Sequence, residues 1–99
     1  PMQFQKRVFE RQEIFLDGNK YAECTFTRCS LTYGAHGTVA LVGCNFNDCS
    51  WQFTDAAART VNFMQGLYHS SPGGKALIEK TIENIRKPTG QPSGDMTVQ

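Results

Sequence analysis

Two stretches of the sequence, YAECTFTRCSLTY at 21–33 and LVGCNFNDCSWQF at 41–53, are copies of one pattern, in which position 21 corresponds to position 41. Both copies place Cys, Phe, Cys and Ser at equivalent positions, and their other apolar positions match in type. A fixed period of this length is typical of a stacked architecture, in which each repeat covers the apolar face of the next. The two copies therefore predict the shape of the molecule more than its chemistry.

Within each copy the apolar residues recur every five positions, as Cys24 and Cys29 do in the first copy. A strand alternates with period two and a helix recurs near 3.6 residues, so a period of five fits neither. It suits a chain that runs straight for a few residues, turns a corner and repeats, and four such sides make a coil of about 20 residues. We expect small Cys and large Phe, Leu or Trp side chains to point inward. The intervening polar residues face water, where Arg28 and Asp48 are placed to form a surface ion pair.

On these residues the chain resembles the pentapeptide-repeat proteins, which form right-handed quadrilateral β-helices. The resemblance covers roughly a third of the chain and implies a short right-handed β-helix-like stack of about two coils. The whole chain also resembles a group of small uncharacterised bacterial proteins, through LDG at 16–18, the two Cys/Phe copies, AAARTVNFMQGLY at 56–68 and GGKALIEKTI at 73–82. That second resemblance implies a fold and no activity.

Two helices are predicted to follow the repeats. Thr54 or Asp55 can accept a hydrogen bond from a free N–H group and so cap a helix over 56–68, whose broad apolar surface suggests contacts on two sides. Ser71 is a favourable N-cap for a second helix, and Pro72 suits its first position because the missing N–H is not needed there.

The fold class predicted from these patterns is α+β. We expect a single domain over residues 2–87, in which residues 3–53 form the β stack and residues 55–87 form two capping helices. Residues 88–99 have no periodicity and few large apolar side chains, so a flexible tail is predicted there. A two-coil stack leaves apolar ends that must be capped or paired, so we expect a homo-oligomer in which the 56–68 helix contacts a second copy.

Composition excludes several classes of function. The net charge of +1 argues against a nucleic-acid partner, which normally requires a clustered basic face, and also against acidic mimicry of DNA. No apolar run approaches the ~20 residues needed to span a bilayer. The sequence opens without a signal-peptide pattern, and Pro1 before Met2 resembles a cleavage scar. We therefore expect a cytoplasmic protein with no membrane partner.

The four cysteines, Cys24, Cys29, Cys44 and Cys49, allow three interpretations. Packing in the core is favoured, because each sulfur occupies the same point of an apolar repeat and free Cys is often buried. Zinc binding and disulfide formation remain alternatives, although the spacing is wider than in most structural zinc sites. We expect no metal, no cofactor and no catalytic residue, since both histidines lie outside the Cys copies.

The best candidate for a ligand site is the segment that leads into the second helix. Free N–H groups and the positive end of the helix dipole can hold a phosphate or carboxylate there, and glycines allow a close approach to the backbone. An ordinary inter-helix turn is the alternative. The predicted anion-binding residues are Tyr68, His69, Ser71, Gly73, Gly74 and Lys75.

Two functions are compatible with these features, and neither is enzymatic. The first is a non-catalytic binding or interaction module that works as a homo-oligomer. The alternative is a protein that binds or sequesters a small anionic ligand such as a nucleotide, of the kind found in phage–host conflict. The partners expected are therefore further copies of the chain, and possible partners are a small anion or another protein.

Overall fold

Short strands follow one another from Gln3 to Phe53 in the computed structural model, which describes residues 1–88. The nine strands within those residues are β1 (Gln3–Gln5), β2 (Val8–Glu10), β3 (Glu13–Phe15), β4 (Lys20–Ala22), β5 (Thr25–Thr27), β6 (Ser30–Tyr33), β7 (Ala40–Val42), β8 (Asn45–Asn47) and β9 (Ser50–Phe53). Two helices follow, α1 (Asp55–Ser70) and α2 (Pro72–Arg86). The predicted α+β class is therefore confirmed. The predicted tail at 88–99 lies, apart from Pro88, outside the described residues.

The strands form three parallel sheets of three strands each, in the orders β1-β4-β7, β2-β5-β8 and β3-β6-β9. Successive strands enter successive sheets, and every third strand returns to the same sheet. The strands therefore lie in three layers, which we call layer 1 (β1–β3), layer 2 (β4–β6) and layer 3 (β7–β9). Phe9 pairs with Phe26 and Phe26 pairs with Phe46, so equivalent side chains stand above one another.

The sequence predicts about two coils, and this number is wrong, because the structure has three layers. The sequence of layer 1 does not show the repeat, for two reasons. Its strands pair with layer 2 at a shorter sequence spacing, as Val8 with Thr25, than the spacing between layers 2 and 3, as Thr25 with Asn45. In addition, Arg7 and Gln12 occupy the positions that hold cysteines in the other two layers.

The core is built from columns of like side chains that run through the layers. The Phe9 and Phe26 rings stack at 5.1 Å with an interplanar angle of 12°, and the Phe26 and Phe46 rings stack at 5.1 Å and 7°. The inward side chains of layer 2 are almost completely buried: Tyr21, Cys24, Phe26, Cys29 and Leu31. The predicted inward positions are therefore confirmed for the first copy of the repeat, whereas in the second copy Trp51 is 55% exposed.

None of the four cysteines forms a disulfide in the structure. Cys24 and Cys29 are buried, and the thiols of the next layer donate to carbonyl oxygens beneath them. The Cys44 sulfur lies 3.3 Å from the Tyr21 carbonyl oxygen, and the Cys49 sulfur lies 3.3 Å from that of Phe26. The S–H group of each of these two cysteines thus has an acceptor, and its sulfur fills the space between large side chains.

The corners between strands share an unusual backbone conformation. Positive φ angles occur at Lys6, Arg11, Gly18, Glu23, Arg28, Ala35, Gly43, Asp48 and Asp55, and these positions recur from layer to layer in step with the strands. For residues other than Gly this left-handed conformation costs roughly 1–2 kcal/mol each, so the hydrogen bonds and packing between layers must offset it. The predicted ion pair between Arg28 and Asp48 joins two of these corners, with 4.0 Å between nitrogen and oxygen.

The chain divides into two compact units, residues 1–59 and the residues from Thr60 onward. In the second unit, Ser71 caps α2 as predicted, because its hydroxyl oxygen accepts a hydrogen bond of 3.0 Å from the Gly74 N–H. Gly74 is buried, and a Cβ there would overlap the Leu67 carbonyl oxygen, so the two helices depend on this glycine for their close approach. No helix in the described part of the chain is long and apolar enough to cross a bilayer.

We expect Phe26→Ala to lower the free energy of unfolding by about 3–5 kcal/mol, because it removes the central ring of the Phe column and leaves a cavity. Phe15→Ala is the matched control, since Phe15 is 62% exposed and its loss should change stability by no more than about 0.5 kcal/mol. Urea unfolding followed by circular dichroism, at one fixed protein concentration, measures both. Equal effects of the two substitutions would contradict the column as the centre of the core.

Candidate functional site

The outer face of layer 3 exposes large apolar side chains. We call it the layer 3 end face and define it by the inward positions of that layer: Leu41, Cys44, Phe46, Cys49 and Trp51. Trp51 pairs in register with Leu31 of layer 2, yet Trp51 is 55% exposed whereas Leu31 is fully buried. Phe53, which pairs with Tyr33, is 60% exposed. This layer thus presents the same side-chain pattern that layer 2 buries.

The edges of the three sheets coincide with this face, because β7, β8 and β9 are the last strands of their sheets. In the layer beneath, corner N–H groups donate to the next layer: Glu23 to the Val42 carbonyl at 2.8 Å and Arg28 to the Asn47 carbonyl at 2.8 Å. The equivalent N–H groups of layer 3 belong to Gly43 and Asp48, and no residue among 1–88 accepts from them. Unpaired edge groups beside an apolar face form a template for association.

The predicted anion site lies at the turn between α1 and α2. Tyr68, His69, Ser71 and Lys75 line one open depression there. The Lys75 ammonium nitrogen lies 5.7 Å from the centre of the Tyr68 ring, and the Tyr68 and His69 rings meet edge to face at 5.0 Å. The structure therefore brings together the charged and aromatic members of the predicted site.

The backbone members of that site have different roles. The Gly74 N–H already donates to Ser71, and Gly74 is buried against Leu67, so this glycine supports the helix pair and does not face the depression. Gly73 is exposed, but like Gly74 it does not line the depression. An anion in the depression would therefore be held by the Lys75 and His69 side chains, and neither glycine has the predicted role.

A third cluster joins the irregular connections of the β unit, and the sequence patterns do not predict it. The two carboxylate oxygens of Asp17 accept hydrogen bonds from the backbone N–H groups of Gly34, at 2.9 Å, and of His36. The His36 ring nitrogen Nε2 lies 2.9 Å from a carboxylate oxygen of Asp55. The two N–H donors, Gly34 first and His36 second, hold the pKa of Asp17 below its ordinary value.

Gly34 makes this arrangement possible, because a Cβ there would come within 2.9 Å of the His36 ring and 3.2 Å of the Asp55 carboxylate. From the sequence, His36 lies in a turn outside the Cys copies and Asp55 lies at the start of a helix. Their contact joins residues that are far apart in the chain, and it depends on connection lengths that have no periodic signal. The three side chains of Asp17, His36 and Asp55 anchor the connection after β6 and the start of α1.

The thiol and imidazole groups of the described residues are engaged in contacts. The cysteine thiols donate to backbone carbonyls, and the His36 ring, more than half exposed, is engaged with Asp55. No group of three or more His, Cys, Asp or Glu side chains within residues 1–88 is arranged to hold a metal ion. The layer 3 end face and the turn depression are two features whose exposed side chains are available for binding.

Comparison with known proteins finds no match for this chain among protein-family models, curated proteins or solved structures.

Because the folded protein lowers the pKa of Asp17, its carboxylate stabilises the fold above the unfolded pKa, near 3.8, and this contribution is lost as the pH falls below that value. Asp17→Asn keeps one acceptor oxygen and loses the other. We expect the variant to melt below the wild type at neutral pH, and the difference to shrink as the pH falls from about 7 to about 2.5. Melting temperatures across this range measure it, with the exposed Glu10→Gln as control. A gap that persists unchanged at low pH would contradict this role.

Proposed function

We propose that this chain is a non-catalytic interaction module that assembles with further copies of itself. The observation that carries the proposal is the layer 3 end face, where large apolar side chains and three strand edges are exposed together. Small proteins seldom leave a contiguous apolar patch uncovered unless it binds a partner. A charged partner surface is not favoured, because the inward side chains of layer 3 include no ionisable group other than thiols.

The proposal includes a β-helix-like arrangement of the strands. Its support is the cyclic order of the strands, in which each sheet receives one strand from every layer, together with the columns of stacked side chains. The irregular connections after β3 and β6 would form the fourth side. In such a coil, the last layer exposes strand edges and apolar side chains until another surface covers them. An identical copy of the chain offers a surface of matching size and chemistry.

A second candidate function, binding of a small anion such as a nucleotide, is supported by the depression at the α1–α2 turn. Lys75 and His69 supply side-chain donors, and the Tyr68 ring offers an aromatic face. The positive end of the α2 dipole adds to the attraction. This function and self-association use different residues, so the two can be tested separately.

We expect the wild-type protein at micromolar concentration to have at least twice the chain mass of 11.1 kDa. Because burial of apolar area drives this assembly, its mass should be unchanged between about 0.1 and 1 M NaCl, where exposed charge pairs are screened. Light scattering coupled to size-exclusion chromatography measures both. A mass of one chain throughout the concentration range would reject self-assembly as the function.

If the turn binds an anion, ATP or inorganic phosphate should raise the melting temperature in a concentration-dependent way. Lys75→Glu should weaken that binding about tenfold or more, because a charge-assisted hydrogen bond is replaced by repulsion. Lys80→Glu is the matched control, since it makes the same charge change on α2 at an exposed residue paired with Glu83. Equal ligand shifts in both variants would place the anion elsewhere, and no shift in the wild type would remove this function.

A further inference from the structure

We propose that two copies of this chain dock through their layer 3 end faces, and that Arg7 and Gln12 prevent the opposite end of the stack from docking onto layer 3. This inference rests on the proposed self-assembly and adds its geometry. A pair formed by two identical end faces is closed, whereas docking of layer 3 onto layer 1 of the next copy would continue without limit. The two ends must therefore differ, and the structure contains that difference.

Arg7 and Gln12 are the layer 1 equivalents of the stacked cysteines, as the backbone hydrogen bonds show. Thr25 N donates to the Arg7 carbonyl at 2.9 Å, just as Asn45 N donates to the Cys24 carbonyl at 3.0 Å. In the same way, Ser30 N donates to the Gln12 carbonyl at 2.9 Å, and its layer 3 counterpart Ser50 N donates to the Cys29 carbonyl at 3.0 Å. The two columns that are thiols in layers 2 and 3 thus end in a cation and an amide.

Arg7 lies across the outer side of the aromatic residues in layer 1. Its guanidinium carbon is 5.8 Å from the centre of the Phe4 ring and 5.9 Å from that of the Phe9 ring. A cation over aromatic faces is favourable while its outer side remains hydrated. A layer docked on top of it would remove that water, and burial of a charge without a partner is strongly unfavourable.

The layer 3 end face could not compensate that charge. Its inward side chains carry no carboxylate. Head-to-tail stacking would bring the Asp48 corner near the Arg11 corner of the next copy, since both lie in the column of Arg28. Asp48 is already paired with Arg28 and is highly exposed, and an ion pair at such a site contributes little because water screens it. The corner attraction is therefore too small to offset the burial of Arg7.

Two layer 3 end faces meet without this penalty. Each contributes Leu41, Phe46 and Trp51 together with two thiols that already donate to carbonyls of their own chain. Each also brings unpaired edge groups from three strands of matching length. A second copy of the chain is therefore the partner that this end fits, and Trp51, which is both large and exposed, is its central contact.

The first arm of the test asks which face forms the pair. Trp51→Glu should reduce the mass from two chains to one, because the docked face would have to bury a carboxylate. Phe63→Glu, at a 68% exposed position of α1, is the matched control and should leave the mass at two chains. If Trp51→Glu remains a dimer while Phe63→Glu becomes a monomer, self-assembly stands and this geometry is overturned.

The second arm asks whether Arg7 and Gln12 block growth. The double variant Arg7→Cys with Gln12→Cys restores the residues found in the other layers, and under reducing conditions it should form assemblies of more than four chains that lengthen with concentration. Arg11→Leu removes the same charge from a neighbouring corner and should remain a dimer. Adding Trp51→Glu to the double variant should reduce its mass to that of one chain.

A double variant that is folded by circular dichroism yet stays a dimer would overturn the blocking role. The variant Arg7→Leu with Gln12→Leu repeats the measurement without added thiols.

Discussion

The fold depends on one constraint, which is that equivalent residues of successive layers stay in register. Parallel pairing between layers satisfies the backbone only if each strand meets its counterpart, and the Phe and Cys columns pack only if like side chains coincide. The two requirements reinforce each other. A shift of one residue would turn the inward Phe26 toward water and direct its polar neighbour into the core. The buried layer 2 is the part held from both sides, so it determines the geometry of the layers above and below it.

This constraint explains why charged residues tolerate left-handed corners. Lys6, Glu23 and Arg28 adopt a conformation that glycine would adopt more easily, and in it their N–H groups donate to carbonyls of the next layer. The repeated hydrogen bonds offset the local cost. Long polar side chains at these corners also keep the outer surface hydrated while the interior stays apolar.

The sequence predicts those parts of the structure whose residues recur. The Cys/Phe columns, the Arg28–Asp48 pair and the Ser71 cap follow from spacing or from local chemistry, and the structure confirms them. Residues 3–16 are predicted as part of the β stack but not as a further layer, because the shorter connection after β3 and the residues Arg7 and Gln12 remove the signals on which the repeat depends. The contacts of Asp17 with Gly34 and of His36 with Asp55 are also missed, because hydrogen bonds between connections that are distant in the sequence produce no periodic pattern.

For the candidate site, the sequence points to the residues around the α1–α2 turn. It does not distinguish the buried Gly74 from the exposed Gly73, because that difference depends on how the two helices pack. The exposure of the layer 3 end face likewise follows from the number of layers and not from any motif.

The connections that follow β3 and β6 differ in length, although they join the same pair of sheets. Four residues follow β3 before the next layer begins, and six follow β6, which is itself one residue longer than β3. The sheets nevertheless remain in register on both sides of this difference. Insertions and deletions are therefore accommodated on this side of the molecule, whereas a single added residue at any of the tight corners would disrupt every later layer. An epitope or reporter peptide inserted on this side keeps the stack intact only if it leaves the hydrogen bonds of Asp17 to Gly34 and His36 in place.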